Sequence, residues 1–312
     1  MKIGIVGTGA MGAVYAGLLG AAGNEVWAID VWQEHLDAIA SQGLHVTGAS
    51  GDRVVEGLHV GTRPADAGPC DVWVIATKAA DVEDVVPGVA ELLRDEDVVM
   101  PFQNGLGAGE RVARHVDPRH VVVGIAEGFG SSIQAPGAVH HNGMRLIRIG
   151  EMSGGITDRV RRIEQVWSGA GFNVKAFEDI QQMFWEKFIC NVAVSAPTAA
   201  FDVTIGELHA DPELWGVAMG CMLEAHGIGV ARGVRFSFDD PLAHLDEFAA
   251  ALPDASPSMR LDHRAQRRSE VDVINGQVVA LGRGMGRPTP YNESLVAVLH
   301  AREAHFPPER SS

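Results

Sequence analysis

Cysteine is scarce in this chain: three residues in 312, Cys70, Cys190 and Cys221. Their odd number and wide spacing exclude a disulfide framework or a C-x-x-C centre, and they fit a reducing compartment. Tyrosine is scarcer still. Only Tyr15 and Tyr291 occur, and neither has a lysine four residues on, which excludes a Tyr-x-x-x-Lys catalytic pair. No Cys/His set has zinc-ligand spacing, so no metal centre is expected, and no G-K-[ST] closes a P-loop. Positive charge is short as well, with 25 Lys and Arg against 40 Asp and Glu, a net charge of −15. Nucleic acid and anionic lipid both require basic surface, so neither is an expected partner. No apolar run of about 20 residues predicts a transmembrane helix. No basic segment with an apolar core reads as a signal peptide. Internal repeats and low-complexity linkers are also absent. The expected protein is soluble and cytoplasmic.

What remains is ordinary globular material, 46% hydrophobic, at a length that suggests two domains. The first half alternates strand-like runs (2–6, 25–30, 71–77, 97–103, 120–127) with helical patterns (10–22, 33–41, 79–94, 108–115). That alternation predicts a parallel sheet covered by helices. Two further runs, 138–142 and 145–151, flank Asn142-Gly143, a hairpin signal. A helix over 156–169 and a strand over 173–177 close this half. Beyond residue 180 helix punctuation takes over. Asp211-Pro212, Asp240-Pro241, Ser256-Pro257 and Thr289-Pro290 each place a capping residue before a proline at the first helical position. Gly233 and Gly282 read as helix stops, and the tail 306–312 reads as frayed. The expected fold is therefore an α/β domain with a doubly wound, mostly parallel sheet, residues 1–179, and an all-α domain, residues 180–312.

Gly7-Thr8-Gly9-Ala10-Met11-Gly12 joins the first strand to the first helix, and Asp30 ends the second strand 18 residues beyond Gly12. In a βαβ unit this is a dinucleotide fingerprint. The first glycine permits the turn, the second lets backbone approach a pyrophosphate, and the third packs helix on strand. Free amides at the helix N-terminus then face the phosphates. Asp30 is placed to accept from ribose hydroxyls and to repel a 2′-phosphate, and Val31-Trp32-Gln33 adds no cation. NAD(H) is therefore favoured. Lys78, just past Thr77 at the end of a strand, is a candidate phosphate contact that keeps NADP(H) open.

The run 184–195 reads as helix, with Lys187, Asn191 and Ser195 in one ladder on the same arc as Phe184 and Phe188. Pro197 is expected to end or kink it. A lysine on an apolar face is desolvated, which lowers its pKa toward the working range of a general acid. Asn191 can orient that lysine or grip substrate. A second helix is expected to run from Ser256 toward Gly282. Ser258 would sit at its positive end, Asp262 and Glu270 about 80° apart on it, and Arg260, Arg264, Arg267 and Arg268 on a solvated face.

These residues resemble the ketopantoate reductase family (2-dehydropantoate 2-reductases). The resemblance spans nearly the whole chain. It is carried by the glycine motif, Thr77-Lys78-Ala79, Gln103-Asn104-Gly105, Trp185-Glu186-Lys187-Phe188 with Asn191, Pro257-Ser258-Met259 with Asp262, Ser269-Glu270-Val271-Asp272, Ile274-Asn275-Gly276, and 286–292. It implies a Rossmann domain plus a helical domain with the active site in the cleft between them, and a homodimer. It implies reduction of a 2-oxo acid to a D-2-hydroxy acid in pantothenate biosynthesis. Position by position, it makes Lys187 the general acid and has Glu270 bind the substrate hydroxyl and order the lysine. Ser258 would hold the carboxylate, and Asn191, Ser195 and Asp262 would belong to the substrate site. Thr77, Lys78 and the glycine motif would hold the cofactor, with Asn104 near the nicotinamide. Two positions depart from the family. Val31 stands where NADPH-using members carry arginine, and Ser195 replaces a substrate-contacting asparagine. The second departure keeps open another branched 2-oxo acid as substrate. A non-catalytic NAD-binding regulator is a third reading.

Overall fold

Lys2–Val6 (β1) is apolar on both faces, with Ile3 and Ile5 fully buried, as a central strand of a parallel sheet requires. In the computed structural model, which describes residues 1–307, the chain forms two units, Met1–Ile180 and Gln181–Ser312. The predicted frayed tail therefore lies largely outside the described residues.

In the first unit β1 leads through helix α1 (Ala10–Ala21) to β2 (Glu25–Ile29), α2 (Gln33–Gln42), β3 (Leu44–Gly48), β4 (Arg53–Val55) and β5 (His59–Gly61). Then come α3 (Pro64–Ala67), β6 (Val72–Ile75), α4 (Val82–Ala90), β7 (Val98–Pro101), α5 (Ala108–Val112) and β8 (Val122–Glu127). Four elements follow in strands, β9 (Gly130–Ala135), β10 (Ala138–Gly143), β11 (Leu146–Glu151) and, after α6 (Asp158–Gly169), β12 (Val174–Ala176). The main sheet is all parallel in the order β5-β2-β1-β6-β7. Its strand order reverses between β1 and β6, the switch point at which such sheets bind ligands. A second sheet runs β4-β3-β10-β9, and a third β12-β11-β8. This is the Rossmann-type domain that the alternation predicts.

Helix α1 has no charged residue, because it packs against strands of both the parallel sheet and the second sheet. Gly17 is required there: a Cβ would stand 2.6 Å from Val46 Cγ2. Tyr15 of α1 sits among Phe102, Phe129, Trp167 and Phe172, with ring centroids 5.0–5.9 Å away.

The hairpin expected at Asn142-Gly143 does not form. Strand β10 pairs with β9 through the turn at Pro136-Gly137, where Gly137 has φ of 72°, while β11 pairs with β8 and β12. A two-residue hairpin turn needs positive φ at one or both central residues, and neither Asn142 nor Gly143 adopts it. The sequence reading also missed β3, β4, β5 and β9.

The second unit is helical throughout its described residues: α7 (Ile180–Phe201), α8 (Ile205–Ala210), α9 (Pro212–Ala231), α10 (Pro241–Ala250), α11 (Ser258–Arg264), α12 (Asn275–Gly284) and α13 (Pro290–Glu303). Asp211 and Asp240 cap α9 and α10 as their sequences predict, each accepting from two first-turn amides. Other punctuation differs. Helix α7 continues through Pro197 to Phe201. Helix α11 begins after Pro257, not Ser256. Helix α12 runs two residues past Gly282 to Gly284, and its close is at Gly286, which takes φ of 65°, with Arg287 N–H on Gly282 O at 2.8 Å. Gly282 instead lets Thr289 pack closely, since a Cβ would lie 2.7 Å from Thr289 Cγ2.

The single long helix expected from Ser256 to Gly282 is broken. Gln266, at φ 53°, forms a Schellman close with Gln266 N–H on His263 O (3.1 Å) and Arg267 N–H on Asp262 O (2.8 Å). Asp262 and Glu270 therefore do not share a helix, and Asn275-Gly276 opens α12 instead of interrupting a helix. Among the described helices α9 is long and apolar enough, by length and composition only, to cross a membrane. It is a packed helix of this bundle, with Trp215, Cys221, Met222 and Ile228 buried.

His141 bears on stability. It is fully buried against the Phe129 ring at 4.7 Å, and neither ring nitrogen has a hydrogen-bond partner among the described residues. Burial pushes its pKa down, His140 adds to this, and the Gly143 backbone opposes it. The folded state thus refuses a proton that the unfolded chain accepts below about pH 6.5. Stability is full above that pH and falls as pH drops toward the lower folded value. Unfolding midpoints are expected to decline between pH 7.5 and 5. His141→Leu should flatten that slope by up to about one proton, read from denaturant melts across the range.

Candidate active site

The chain leaves β1 at Val6 and must turn at once into α1. Gly7 does this with φ of 89°, and a Cβ on it would stand 2.5 Å from Thr77 N. The loop after β1 is therefore packed against the loop after β6, at the switch point. Gly7 and Thr8 amides bond Ile29 O at 2.8 and 3.3 Å, and the buried Thr8 hydroxyl donates to the same carbonyl at 3.2 Å. A Cβ on Gly12 would overlap Gly7 O, so α1 can approach β1 only with glycine there. Gly9 differs: a Cβ would meet nothing within 4 Å. It is the N-cap of α1, and neither a side-chain cap nor a first-turn acid occupies that end. Its amides and dipole are available to an anion.

Asp30 follows β2, and its Oδ1 accepts from Trp32 N–H at 3.0 Å. Val31 beside it is 80% exposed. At the ends of β6 and β7, the buried Gln103 donates through Nε2 to Ile75 O (2.8 Å) and Thr77 O (3.1 Å). That bonding fixes its amide orientation and clips the loop of Thr77 and Lys78 to the loop of Asn104. Gln103 Oε1 and Thr77 Oγ1 are buried without a partner among the described residues. Buried polar atoms are rarely left so. Open helix amides, a carboxylate after β2 and orphaned polar atoms at the strand ends together fit a dinucleotide.

In the second unit, Lys187, Asn191 and Ser195 occupy successive turns of α7. The first two are half-buried and Ser195 is 4% exposed. Of the aromatic residues on this stretch of helix, Trp185 and Phe188 are buried and Phe184 is half-buried. The helix is held from behind by asparagines. Asn275 Nδ2 donates to Val192 O (2.9 Å) and to Asn292 Oδ1 (2.8 Å), and Asn292 Nδ2 donates to Glu224 Oε2 (2.6 Å). Glu224 also accepts from the Tyr291 and Asn292 amides at 2.9 and 3.1 Å. Ser258 is exposed at the first position of the seven-residue α11. Asp262, one turn on, is engaged by Arg267 at 2.8 Å. Glu270 lies in the link after α11 and opens a 3-10 turn over Val271–Val273. Arg260 is not on a solvated face: it is 7% exposed, with Nε on Asp202 Oδ1 at 3.1 Å and Nη1 on Ser256 Oγ at 2.6 Å.

Residues 3–154 match the family profile described as "Ketopantoate reductase PanE/ApbA", and residues 179–303 match its C-terminal counterpart. The chain belongs to the ketopantoate reductase family. Among curated relatives, a 2-dehydropantoate 2-reductase of Streptococcus pyogenes is 26% identical over 97% of this chain and 98% of its own. One of Archaeoglobus fulgidus is 28% identical over the same shares. A PanE/ApbA family ketopantoate reductase structure from Ralstonia eutropha superposes with a TM-score of 0.88, at 26% identity over 97% of this chain and 99% of that one. A D-mandelate dehydrogenase solved with NADH and anilino(oxo)acetate has the same fold, with a TM-score of 0.88 at 23% identity and the same coverage.

Within this member of the family, three groups escaped the list of site candidates. Gln103 and Asn275 lie in motifs that the sequence reading quoted but gave no role. Glu303 had no signal at all, because its partners are 34 and 40 residues distant in sequence.

Proposed function

We propose that this protein reduces 2-dehydropantoate to D-pantoate, in pantothenate biosynthesis, with Lys187 as general acid. The observation that carries this reading is the ladder of half-buried Lys187 and Asn191 and buried Ser195 on successive turns of α7. A nicotinamide dinucleotide, when bound, supplies the hydride. The glycine loop and the α1 N-terminus would hold its pyrophosphate, Asp30 its ribose, and Thr77, Lys78 and Asn104 its remaining polar groups. Lys187 Nζ donates a proton to the oxygen on the substrate's C2. Glu270 accepts from the substrate hydroxyl and helps order the lysine, Ser258 binds the carboxylate, and Asn191 fixes the pose, with Asp262 nearby on α11.

Ser195 favours a second reading, reduction of another branched 2-oxo acid. Its side chain is shorter than the family's asparagine and makes fewer contacts. Both readings are tested by oxidation of NADH and NADPH with purified protein against ketopantoate and a panel of 2-oxo acids. The first expects the highest kcat/KM with ketopantoate. The second gains if another acid wins, and both fall if none is reduced.

We infer NADH preference from Asp30 and the exposed Val31. Asp30→Ala with Val31→Arg removes a charge that repels a 2′-phosphate and adds one that attracts it. The NADH/NADPH ratio of kcat/KM should move toward NADPH by about 10–100-fold, given about 1–3 kcal/mol for a charge-assisted bond. An unchanged ratio would mean that the ribose is read elsewhere.

A further inference from the structure

The link between α11 and α12 carries Glu270 yet has almost no regular structure to hold it. Helix α11 ends in the Schellman close at Gln266, and the next hydrogen-bonded turn begins only at Glu270. Between them, Ser269 is anchored from the last turn of α13. A single carboxylate oxygen, Glu303 Oε1, accepts from Ser269 N–H (2.9 Å), Ser269 Oγ–H (2.7 Å) and His263 Nε2–H (3.0 Å). Glu303 is 9% exposed and His263 4%. A carboxylate buried so far needs several donors, and these three supply them.

The charge states support this assignment. Burial works to raise the Glu303 carboxyl, but the bonds from Ser269 and His263 outweigh it and hold it below the ordinary carboxylate value. Burial also lowers His263, against the pull of Glu303 and Asp262 and with the push of Arg302. An ionised Glu303 facing a neutral His263 follows, with the imidazole proton on Nε2. The neighbouring residue works in the other direction: Arg302 Nη1 donates to Ala199 O and, at 3.3 Å, to Ala200 O, at the end of α7. One turn of α13 thus ties the helix that carries Lys187 to the link that carries Glu270.

We propose that Glu303 is a positioning residue for the reaction. By gripping Ser269 through both its amide and its hydroxyl, with His263 as brace, it sets where the adjoining Glu270 presents its carboxylate. This rests on Glu270 having the role given above. It goes further in assigning a role to a buried pair outside the substrate contacts. Misplacement of a catalytic group by about 1 Å costs on the order of 100-fold in rate, so the anchor has measurable consequences.

The test is a double-mutant cycle with two readouts. Glu303→Ala should lower kcat/KM for the 2-oxo acid by about 10–100-fold while leaving NADH affinity unchanged. In a Glu270→Ala background the same change should cost less than about twofold, because the group it positions is gone. Ser269→Ala, which keeps the charge and the fold, should repeat the pattern with a smaller loss. Hydrogen exchange reads the anchor without any substrate. In Ser269→Ala and Glu303→Ala, peptides covering 266–274 should exchange about tenfold faster while α9 keeps its protection. Equal losses in both backgrounds, or unaltered exchange at 266–274, would overturn the proposal. If the wild-type protein reduces no 2-oxo acid, the functional reading fails, and the exchange measurement still decides whether Glu303 holds the link.

Discussion

Lys187→Ala should lower kcat by about 10²–10⁴, the usual worth of a general acid, with the NADH dissociation constant unchanged. The reasoning starts from the placement of the side chain. Lys187 lies in the second unit on a turn with buried Trp185 and Phe188, whereas the glycine loop and Asp30 belong to the first. Removing the amine therefore takes away the proposed proton donor without altering the residues proposed for the dinucleotide. A parallel fall in kcat and kcat/KM is the signature of an interaction made only in the transition state. The measurement is steady-state turnover at saturating cofactor, with NADH binding followed by fluorescence. Near-normal turnover would remove Lys187 as the acid. A weakened cofactor with normal kcat would make it a binding residue instead. Glu270→Gln separates the two carboxylate roles. It should lower kcat while leaving KM for the 2-oxo acid nearly unchanged, since the neutral amide can still meet a hydroxyl but cannot steady an ammonium as a carboxylate would.

How much of this was legible in the sequence depended on whether the signal was local. The glycine loop was legible because turn, strand end and helix start fall within six residues, Gly7 to Gly12. The lysine ladder was legible because one helical period brings 187, 191 and 195 together. The three helix ends in the second unit show the boundary of such reasoning. Helix α9 closes in a Schellman motif on Gly233, with Val234 N–H on Gly229 O at 3.0 Å, and glycine marked that place in advance. Helix α12 closes the same way on Gly286, but Gly282, one turn earlier, gave the same signal for a different reason, close packing against Thr289. Helix α11 closes the same way on Gln266, which carries no such signal, so the break that separates Asp262 from Glu270 could not be read from composition. Strands β10 and β11 were misjoined because Asn142-Gly143 is a turn dipeptide by propensity, while the turn actually used joins β9 to β10 with Gly137 at positive φ. The anchoring of Ser269 by Glu303 and of Val192 by Asn275 depends on contacts across 34 and 83 residues, which only the folded chain supplies.

Gly12→Val should abolish both tight cofactor binding and part of the stability, and Gly9→Ala should separate these two effects. A Cβ on Gly12 would overlap Gly7 O and lie 3.3 Å from Ile5 Cγ2, so α1 must shift away from β1 to admit it. Forcing atoms into a packed site costs about 1–3 kcal/mol, and β-branching adds a helix penalty. The displaced helix would also carry its N-terminal amides away from the proposed phosphate site, so NADH affinity should fall at least about 100-fold, on the order of the 2.7 kcal/mol that a single strong charge-assisted bond supplies. At Gly9 the backbone is extended, with φ −68° and ψ −158°, and a Cβ meets no protein atom within 4 Å. Alanine there should leave the unfolding free energy within about 0.5 kcal/mol of wild type, as for other unstrained surface changes. It would nonetheless project a methyl group into the space proposed for the pyrophosphate and should weaken NADH by about tenfold or more. Denaturant melts and NADH titrations on the two variants test the pair. Loss of stability without loss of binding in Gly12→Val would show that the glycine serves packing alone. Wild-type NADH affinity in Gly9→Ala would mean that the open end of α1 is not where the phosphates lie, and the cofactor site would have to be rebuilt around Thr77, Lys78 and Gln103.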